Sequence, residues 1–425
     1  MIEVAEPGRF RVDVLVDLEW EPAAGGHVKC WERIAEAATR LDGGLDLTLH
    51  FSGRERGHHL LSEHVRYQIH RPMFSTARLP FLSHVPDHTD LAPYHPGLAR
   101  TLLGSAVIHT TDAYFAFAKT ALAVARRRRI ALVNSVHTDT PRYGRVFTAE
   151  TIENLARNRW LARLLLDRLH VDQWTERRML ARLANYQQSC NFSLVSRPAE
   201  LDALARLVGP DRAGLMRRGI DCRRFDPQLR DRAWLETRFG IAQDRLVVLF
   251  VGRVNVGKDV MTLAAAVRAL VDQGLPVHLL CAGAGEQVPE VLALLGPHAS
   301  CPGVLCPEIL ARAYASADIF ASPSRIEVLA NVVMEALASG LPTLVAADSG
   351  MARMLHEGRT GYAIADGGPP AWSAAIRALA TDPAGRRVMA EAARTSALTE
   401  LPSWDDVLVQ DLLPVWRRLA AAANS

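Results

Sequence analysis

Short apolar runs alternate with longer amphipathic stretches along the whole chain. The runs have the length and β-branched content of buried strands, and they cover residues 11–18, 45–51, 105–111, 130–137, 190–196, 246–252, 276–285, 319–324 and 341–347. Stretches with helical spacing lie between them, for example residues 29–41 and 310–318. This alternation predicts parallel sheets with helices on both faces.

The alternation is interrupted once, between residues 208 and 245, where the chain is rich in Gly, Pro and charge and poor in apolar runs. One α/β series precedes this break and another follows it. We therefore predict an α/β fold of two Rossmann-like domains, residues 1–215 and 216–400, that face each other across a cleft. Residues 401–425 are predicted to form helix. Ligands of such sheets bind at the carboxyl ends of the strands.

Composition narrows the class of protein. The 425 residues are 49% hydrophobic and 22% charged, with a formal net charge of +3, so a nucleic-acid partner is not indicated. The cysteines form no CxxC pair, which favours a reducing compartment and argues against a zinc site. Acidic residues come early and no apolar run approaches the ~18 residues of a membrane span, so we expect a cytosolic protein.

One glycine-rich turn follows the run at 246–252. Gly252, Gly257 and Lys258 match the Walker A spacing, but Asp259 stands where that motif needs a hydroxyl for Mg²⁺. A second interpretation is a metal-free diphosphate site, in which Arg253 and Lys258 supply two cations next to a helix N-terminus. A third is an ordinary strand–helix turn.

A pair of acids marks the later run at 319–324. Glu327 and Glu335 are separated by seven residues, and helical geometry would place their carboxylates ~12 Å apart along the axis. That separation is close to the distance from the hexose to the ribose of a nucleotide sugar. By spacing alone, two solvated glutamates on an amphipathic helix are the favoured explanation of the pair.

The order of these motifs resembles one known family. The segments, in sequence, are VGRVNVGKD, CAGAGEQ, YASADIFASPSRIEVLANVVMEALASGLPTLVA and EGRTGYAIA. From Gly252 to Asp366 they resemble the carboxyl-terminal domain of the retaining glycosyltransferases of family 4, which have the GT-B fold. Weaker similarity extends to MRRGIDCRRFDP, to the Gly-Gly loop in EWEPAAGGHVKCWERIAEAATRL and to NSVHTDTPRY.

The resemblance implies a role for each matching position. Arg253 and Lys258 would neutralise the departing nucleoside diphosphate, Glu327 would hold the donor sugar, and Glu335 would bind the ribose. His137 would lie near the transferred sugar. Apart from the resemblance, His137 with Asp139 two residues on could indicate a metal site or an acid–base pair, although a lone His at a strand end is more often structural; His27 and His109 are weaker candidates of the same kind. The implied donor-binding positions are Gly25, Gly26, Gly252, Gly283, Val328, Leu329, Ala330, Asn331, Val332 and Glu335.

The same resemblance implies the reaction. The first domain would bind the acceptor and the second the nucleotide sugar, and the carboxyl-terminal helix would cross back to the first domain. A hexose would pass from a UDP-hexose or GDP-mannose to a hydroxyl of a lipid or glycan, with retention, without a metal and without a further cofactor. A nucleotide-sugar epimerase and a non-catalytic sugar-nucleotide-binding module are the alternatives.

Two positions depart from the family, and one segment has two interpretations. Ala330 and Asp259 stand where family members often have glycine. The methyl group of Ala330 would affect the choice of donor, and the negative charge of Asp259 would weaken the local positive field. Residues 153–183 mix Leu and Trp with Arg. They indicate either a basic amphipathic helix on a membrane surface or a helix packed on its own domain with Arg outside.

Overall fold

The chain folds into two compact units. The first unit comprises Met1–Arg218 and Trp404–Ser425, and the second comprises Gly219–Ser403. This computed structural model describes residues 9–21, 24–41, 44–76, 89–137, 140–155, 160, 164–325, 331–365 and 368–423.

The first unit is built on an eight-stranded sheet of order β3-β4-β2-β1-β5-β6-β7-β8. Its strands are β1 (Phe10–Glu19), β2 (Leu45–Ser52), β3 (Gly57–Ser62), β4 (Val65–His70), β5 (Val107–Thr110), β6 (Ala131–Val136), β7 (Phe192–Val195) and β8 (Ala213–Leu215). All neighbouring strands pair in parallel except β3 and β4. The helices are Gly26–Ala38, Pro96–Thr101, Ala116–Arg128, Thr140–Leu155, Val171–Ser189 and Pro198–Val208.

The end of the chain completes the core of the first unit. Trp404–Asp406, a π-helical segment Val407–Leu412 and the helix Leu413–Ala423 follow one another. Trp416 is fully buried in the same cluster as Trp31 of the helix Gly26–Ala38. Arg217 also donates to both carboxylate oxygens of Asp411, at 2.7 and 3.1 Å, which fixes the last helical segment to the strand-end loop after β8.

The second unit has a six-stranded parallel sheet of order β11-β10-β9-β12-β13-β14. Its strands are β9 (Leu246–Val251), β10 (Val277–Ala282), β11 (Ala299–Gly303), β12 (Ile319–Ser322), β13 (Thr343–Ala346) and β14 (Gly361–Ile364). Its helices are Arg232–Phe239, Val260–Asp272, Val288–Leu295, Pro307–Ser316, Asn331–Ala338, Pro369–Thr381 and Pro383–Glu400. Two apolar clusters, one on each face, enclose the sheet.

The strand order positions a site in each unit. In the second unit the order reverses at β9, which lies between β10 and β12. In the first unit it reverses at β1, between β2 and β5. Loops at the carboxyl ends of strands diverge at such a reversal and leave a crevice for a ligand. The predicted α/β fold with two Rossmann-like units is confirmed, and every apolar run predicted as a strand contains one.

None of the helices in the described residues has the length and apolar character to cross a membrane.

Candidate functional site

The loop after β9 carries the two predicted cations. Arg253 is exposed and Lys258 is partly buried, at the end of a 3₁₀ turn Val256–Lys258. Between them Val254 is fully buried, and its amide donates to Ala284 at 2.9 Å. The Gly252 amide is also used, by Ala282 at 3.1 Å. Since a Walker A loop presents these amides to phosphate, the loop is not built as one.

Two glycines of this region are required by backbone packing. A Cβ on Gly283 would lie 1.8 Å from the carbonyl oxygen of Gly252, and one on Gly285 would lie 2.1 Å from that of Val254. Gly252 itself has φ 146°, a conformation that favours glycine. The loops after β9 and β10 are therefore pressed together. A donor contact at Gly252 or Gly283 stays a prediction.

Asp259 stands in a left-handed conformation, with φ 54° and ψ 32°. Glycine is favoured there, and Asp is one of the few other residues that tolerate it. This backbone is compatible with the glycine that the family resemblance implies at the position. The Asp259 carboxylate accepts a hydrogen bond from the Thr262 hydroxyl at 2.8 Å. The α-helix starts one residue later, at Val260, rather than at Lys258.

The helix after β12 carries the second group of predicted residues. Asn331 begins the helix Asn331–Ala338, and Asn331, Val332 and Glu335 are partly buried. The Glu335 carboxylate is a hydrogen-bond partner of the Tyr314 phenol, which is fully buried. Burial, and then the charge and hydrogen bond of Glu335, hold the pKa of Tyr314 well above its usual value. The remaining predicted residues of this segment, Glu327, Val328, Leu329 and Ala330, lie outside the described residues.

Two buried polar atoms at this edge of the sheet lack a partner within the described structure. They are Oδ1 of Asn255, in the loop after β9, and the hydroxyl of Ser324, just after β12. Buried polar atoms are nearly always hydrogen-bonded, so buried polar atoms without a partner indicate that a ligand or an ordered water binds there. β9 and β12 are neighbours, with Ile319 opposite Val248. The unpartnered atoms therefore lie at the carboxyl ends of the two strands that flank the reversal.

The first unit holds Gly25, Gly26 and His137. Gly25 precedes the helix Gly26–Ala38 with an extended φ of −66°, and it makes no side-chain cap. His137 follows β6, and its ring stacks on that of His27 with centroids 4.8 Å apart. Asp139, which the sequence placed next to His137 as a metal or acid–base partner, lies outside the described residues.

A hydrogen-bond chain fixes the tautomer of His137. The indole N–H of Trp416 can only donate, and it donates to Nδ1 of His109 at 3.1 Å. Burial lowers the pKa of His109 to about 3, so its ring is neutral and its proton is on Nε2. Nε2 of His109 donates to the Ser135 hydroxyl at 2.8 Å, and Ser135 donates to Nε2 of His137 at 2.6 Å.

His137 therefore carries its proton on Nδ1. Burial first, and then His27, Arg218 and His109, hold its pKa well below the usual histidine value. The ring is neutral at physiological pH, and its Nδ1 is buried without a hydrogen-bond partner among the described residues. His137 is a hydrogen-bond donor with an open position, rather than a general base at Nδ1.

The predicted residues thus fall into two groups. Arg253, Lys258 and the helix with Glu335 lie at one edge of the second sheet, and Gly25, Gly26 and His137 lie at one edge of the first. Sequence reasoning missed Tyr314, Ser135 and Trp416, which are apolar or neutral side chains inside strands and helices and give no motif. In the described residues no group of three His, Cys, Asp or Glu side chains could hold a metal ion.

Comparison with known proteins agrees with this geometry. Residues 245–382 match the family model described as glycosyl transferases group 1. The D-inositol 3-phosphate glycosyltransferase of Thermomonospora curvata is 32% identical over 246 residues, which is 53% of this chain and 56% of that protein. The chain thus spans about half the length of the curated relatives it matches.

Solved structures share the fold at low identity. The sucrose-phosphate synthase of Thermosynechococcus elongatus has a TM-score of 0.67 and 19% identity, over 97% of this chain and 100% of that one. The Anabaena protein Alr3699/HepE in complex with UDP-glucose has a TM-score of 0.61 and 15% identity, over 98% and 100%. The resemblance predicted from the motifs is confirmed: residues 245–382 match the group 1 glycosyl transferases, on a chain whose two Rossmann-like units have the architecture of the GT-B fold.

Proposed function

We propose that the protein is a glycosyltransferase that moves a hexose from a nucleoside-diphosphate sugar to a hydroxyl group. The observation that carries the proposal is the edge of the second sheet at β9 and β12. Two cations, a positioned carboxylate and two unpartnered polar atoms stand there, inside the segment that matches the group 1 glycosyl transferases.

The chemistry needs charge stabilisation rather than a protein nucleophile. The bond to break joins the anomeric carbon to phosphate, and the leaving diphosphate carries the developing charge. Arg253 and Lys258 supply fixed positive charge for it, which is the term that usually dominates such catalysis. Transfer would proceed without a metal and with retention, the diphosphate itself taking the acceptor's proton. Glu335, held by Tyr314, would accept hydrogen bonds from the ribose.

Calorimetric binding of UDP and GDP, in EDTA and again with Mg²⁺, tests the donor. Metal-independent binding of one diphosphate supports the proposal. Binding of UDP indicates a UDP-hexose as the donor, and binding of GDP indicates GDP-mannose. The UDP-glucose bound in the Anabaena structure favours UDP. A hexosyl-transfer assay then separates an enzyme from a binding module. Binding of neither diphosphate, or binding with no transfer to any lipid or glycan hydroxyl, would overturn the assignment.

The acceptor is proposed to be a lipid or glycan. A protein surface that binds a membrane would suit a lipid acceptor. Within 153–183 large apolar side chains are exposed, with Trp160 at 64% and Trp174 at 56%. Exposed arginines share this surface, and the Arg178 guanidinium lies 5.1 Å from the Trp174 ring centroid. Exposed aromatic and cationic side chains together suit an anionic lipid surface. The same region also packs on its own unit, where Arg145 donates to Asp172 at 2.9 Å.

Vesicle co-sedimentation tests the membrane contact. The chain should sediment with phosphatidylglycerol vesicles and less with phosphatidylcholine vesicles. A Trp174→Ser, Leu180→Ser variant should lose this, because both side chains are exposed on the helix Val171–Ser189. Val388→Ser is the control, since Val388 is equally exposed but lies on a helix of the second unit. Equal sedimentation of both variants would contradict the contact.

A further inference from the structure

A buried cation without an acidic partner lies in the first unit. Arg218 is only 9% exposed, and its Nε and Nη1 are buried without any hydrogen-bond partner in the described part of the chain. Nη2 makes one long contact, 3.4 Å, with the carbonyl oxygen of His137. The Cys30 thiol also interacts with the guanidinium, but burial raises the pKa of Cys30, so the thiol brings no negative charge. Within the described ranges, no acidic side chain pairs with Arg218.

Such a cation is costly as it stands. An ion taken out of water keeps a penalty of several kcal/mol unless a counter-charge and hydrogen bonds offset it. A buried water can accept from an N–H, but it brings no charge. Folded chains keep buried charges paired or hold ligands with them. The unpaired guanidinium therefore indicates that an anion belongs beside it.

The groups around Arg218 are also donors. The hydrogen bonds from Trp416 through His109 and Ser135 place the His137 proton on Nδ1. That N–H has no acceptor in the part of the structure that is described. His27, stacked on His137, has a buried Nε2 that also lacks a partner. Since Nη2 of Arg218 lies 3.4 Å from the His137 carbonyl oxygen and the two rings stack, the three residues form one cluster. After burial, the charge of Arg218 further lowers the pKa of both His27 and His137. No acceptor among the described residues pairs with the unpartnered ring nitrogens of this cluster.

Helix polarity adds to the positive field. His27 is the second residue of the helix Gly26–Ala38, whose N-terminus has no side-chain cap and no acidic residue in its first turn. Free amides and the helix dipole favour an anion there. β1 ends just before this helix, and the strand order of the first sheet reverses at β1. The cluster thus lies where sheets of this type bind ligands.

We propose that Arg218, Nδ1–H of His137 and the start of the helix Gly26–Ala38 form an oxyanion subsite of the first unit. It would take a phosphate, carboxylate or sulfonate group that a substrate carries. That this group belongs to a substrate rests on the proposed function; the binding of an oxyanion at the subsite does not. The oxyanion can come from the acceptor or from the donor, and the experiment distinguishes these sources.

Inorganic phosphate is the first probe, titrated into the 425-residue chain at constant ionic strength against chloride. The melting temperature should rise with phosphate, because a ligand that binds only the folded state stabilises it. The ring ¹⁵N signals of His137 should shift over the same concentrations. Absence of both effects in the wild-type protein would overturn the proposal, and this readout needs no variant to fold.

Variants locate the effect. Arg218→Met keeps much of the stem and removes the donors, so phosphate should no longer raise the melting temperature, while the phosphate-free protein should melt at or above the wild-type temperature. Arg127→Met removes the same charge from an exposed helix end and should retain the phosphate response. Ser135→Ala should weaken the response by freeing the His137 tautomer. A full phosphate response in Arg218→Met would refute the site.

UDP then identifies the source of the oxyanion. If UDP competes with phosphate, the subsite receives the donor's diphosphate. If both bind together, it receives an anionic group of the acceptor, and phosphorylated acceptors should be used more efficiently than their unphosphorylated forms. The proposed function fails separately: no hexosyl transfer by wild-type protein that still responds to phosphate would remove the glycosyltransferase assignment and leave the subsite standing.

Discussion

The phenol of Tyr314 has two acceptors on the helix Asn331–Ala338: the Val332 carbonyl oxygen at 3.3 Å and the carboxylate of Glu335. Its ring is fully buried and packs edge-on against Phe225, with centroids 5.6 Å apart. A rigid, buried donor therefore sets the orientation of a carboxylate that is itself only partly buried. Tyr314 is a positioning residue for Glu335.

Tyr314→Phe should weaken UDP or GDP binding by about 1 kcal/mol, the usual worth of one such hydrogen bond. The ring and its packing remain, and the Glu335 carboxylate becomes free to rotate. Calorimetry would measure the dissociation constant, and a double-mutant cycle with Glu335→Gln would show whether the two losses are coupled.

Tyr186→Phe is the matched control for that experiment. Tyr186 is also buried, and its hydroxyl donates to Ala118 at 3.0 Å, but it lies in the first unit. Its loss should lower stability and leave diphosphate affinity unchanged. Equal diphosphate affinity in Tyr314→Phe and wild type would remove Tyr314 from the site.

Arg253→Ala and Lys258→Ala should each lower kcat by about two orders of magnitude or more, equivalent to ~3 kcal/mol of transition-state stabilisation, as for a charged contact made as the bond breaks. Steady-state transfer kinetics with the identified donor would measure this. Arg268→Ala is the control, because Arg268 pairs with Asp272 near the other end of the helix Val260–Asp272. Near-normal turnover in either variant would contradict the proposal that Arg253 and Lys258 stabilise the leaving diphosphate.

The fold was predictable where strands are buried on both faces. Such strands are continuous apolar runs, and the runs at 246–252 and 276–285 became β9 and β10. Four of the five described strands without a prediction, β3, β8, β11 and β14, lie at the edges of their sheets. The fifth, β4, lies next to an edge and alternates buried with partly buried residues over much of its length. β3 has the sequence GHHLLS with mostly exposed side chains, and β8 has three residues. Edge strands need little apolar surface, so periodicity does not reveal them.

The candidate site was predictable only where charged residues stand in a recognisable motif. Arg253, Lys258 and Glu335 were visible for that reason. Tyr314 and Trp416 act through one polar atom each on otherwise apolar side chains, and their partners are distant in sequence. Arg218 lies in the segment MRRGID, but nothing in the sequence shows that folding buries its guanidinium without an acidic partner among the described residues.

Acid should destabilise the first unit through its buried histidines. Burial lowers the pKa of His27 and His109 to about 3 and that of His70 to about 2. The unfolded chain protonates these rings near pH 6.5, so it binds more protons than the folded chain below that pH. Stability is therefore complete above about pH 6.5 and falls as the pH drops, by at most about 1.4 kcal/mol per pH unit for each ring.

Urea unfolding between pH 7 and pH 4 measures this slope. Asp17 and Asp112 oppose it, because burial raises their pKa values and the folded state keeps their protons longer. The comparison with His27→Asn isolates one ring: the variant should lose less stability per pH unit than wild type. Parallel pH profiles would show that His27 is protonated as easily in the folded protein as in the unfolded chain.

Substitutions at Asp259, the left-handed residue before the helix Val260–Asp272, can separate a backbone effect from a charge effect. Asp259→Val should destabilise the second unit by about 1–2 kcal/mol, because a β-branched residue is strained at φ 54°. Asp259→Gly fits the backbone and loses only the hydrogen bond from Thr262, so its stability should stay within about 1 kcal/mol of wild type. Asp259→Asn keeps a tolerant backbone and removes the negative charge.

If Asp259 weakens the positive field at Arg253 and Lys258, both the glycine and the asparagine variants should bind the diphosphate more tightly than wild type, and the gain should shrink as salt is added. Calorimetry at two ionic strengths measures this, with thermal melts for stability. A gain in Asp259→Gly alone would assign the effect to the backbone. Unchanged affinity in both would place the Asp259 carboxylate too far from the phosphates to matter, with its function limited to the start of the helix Val260–Asp272.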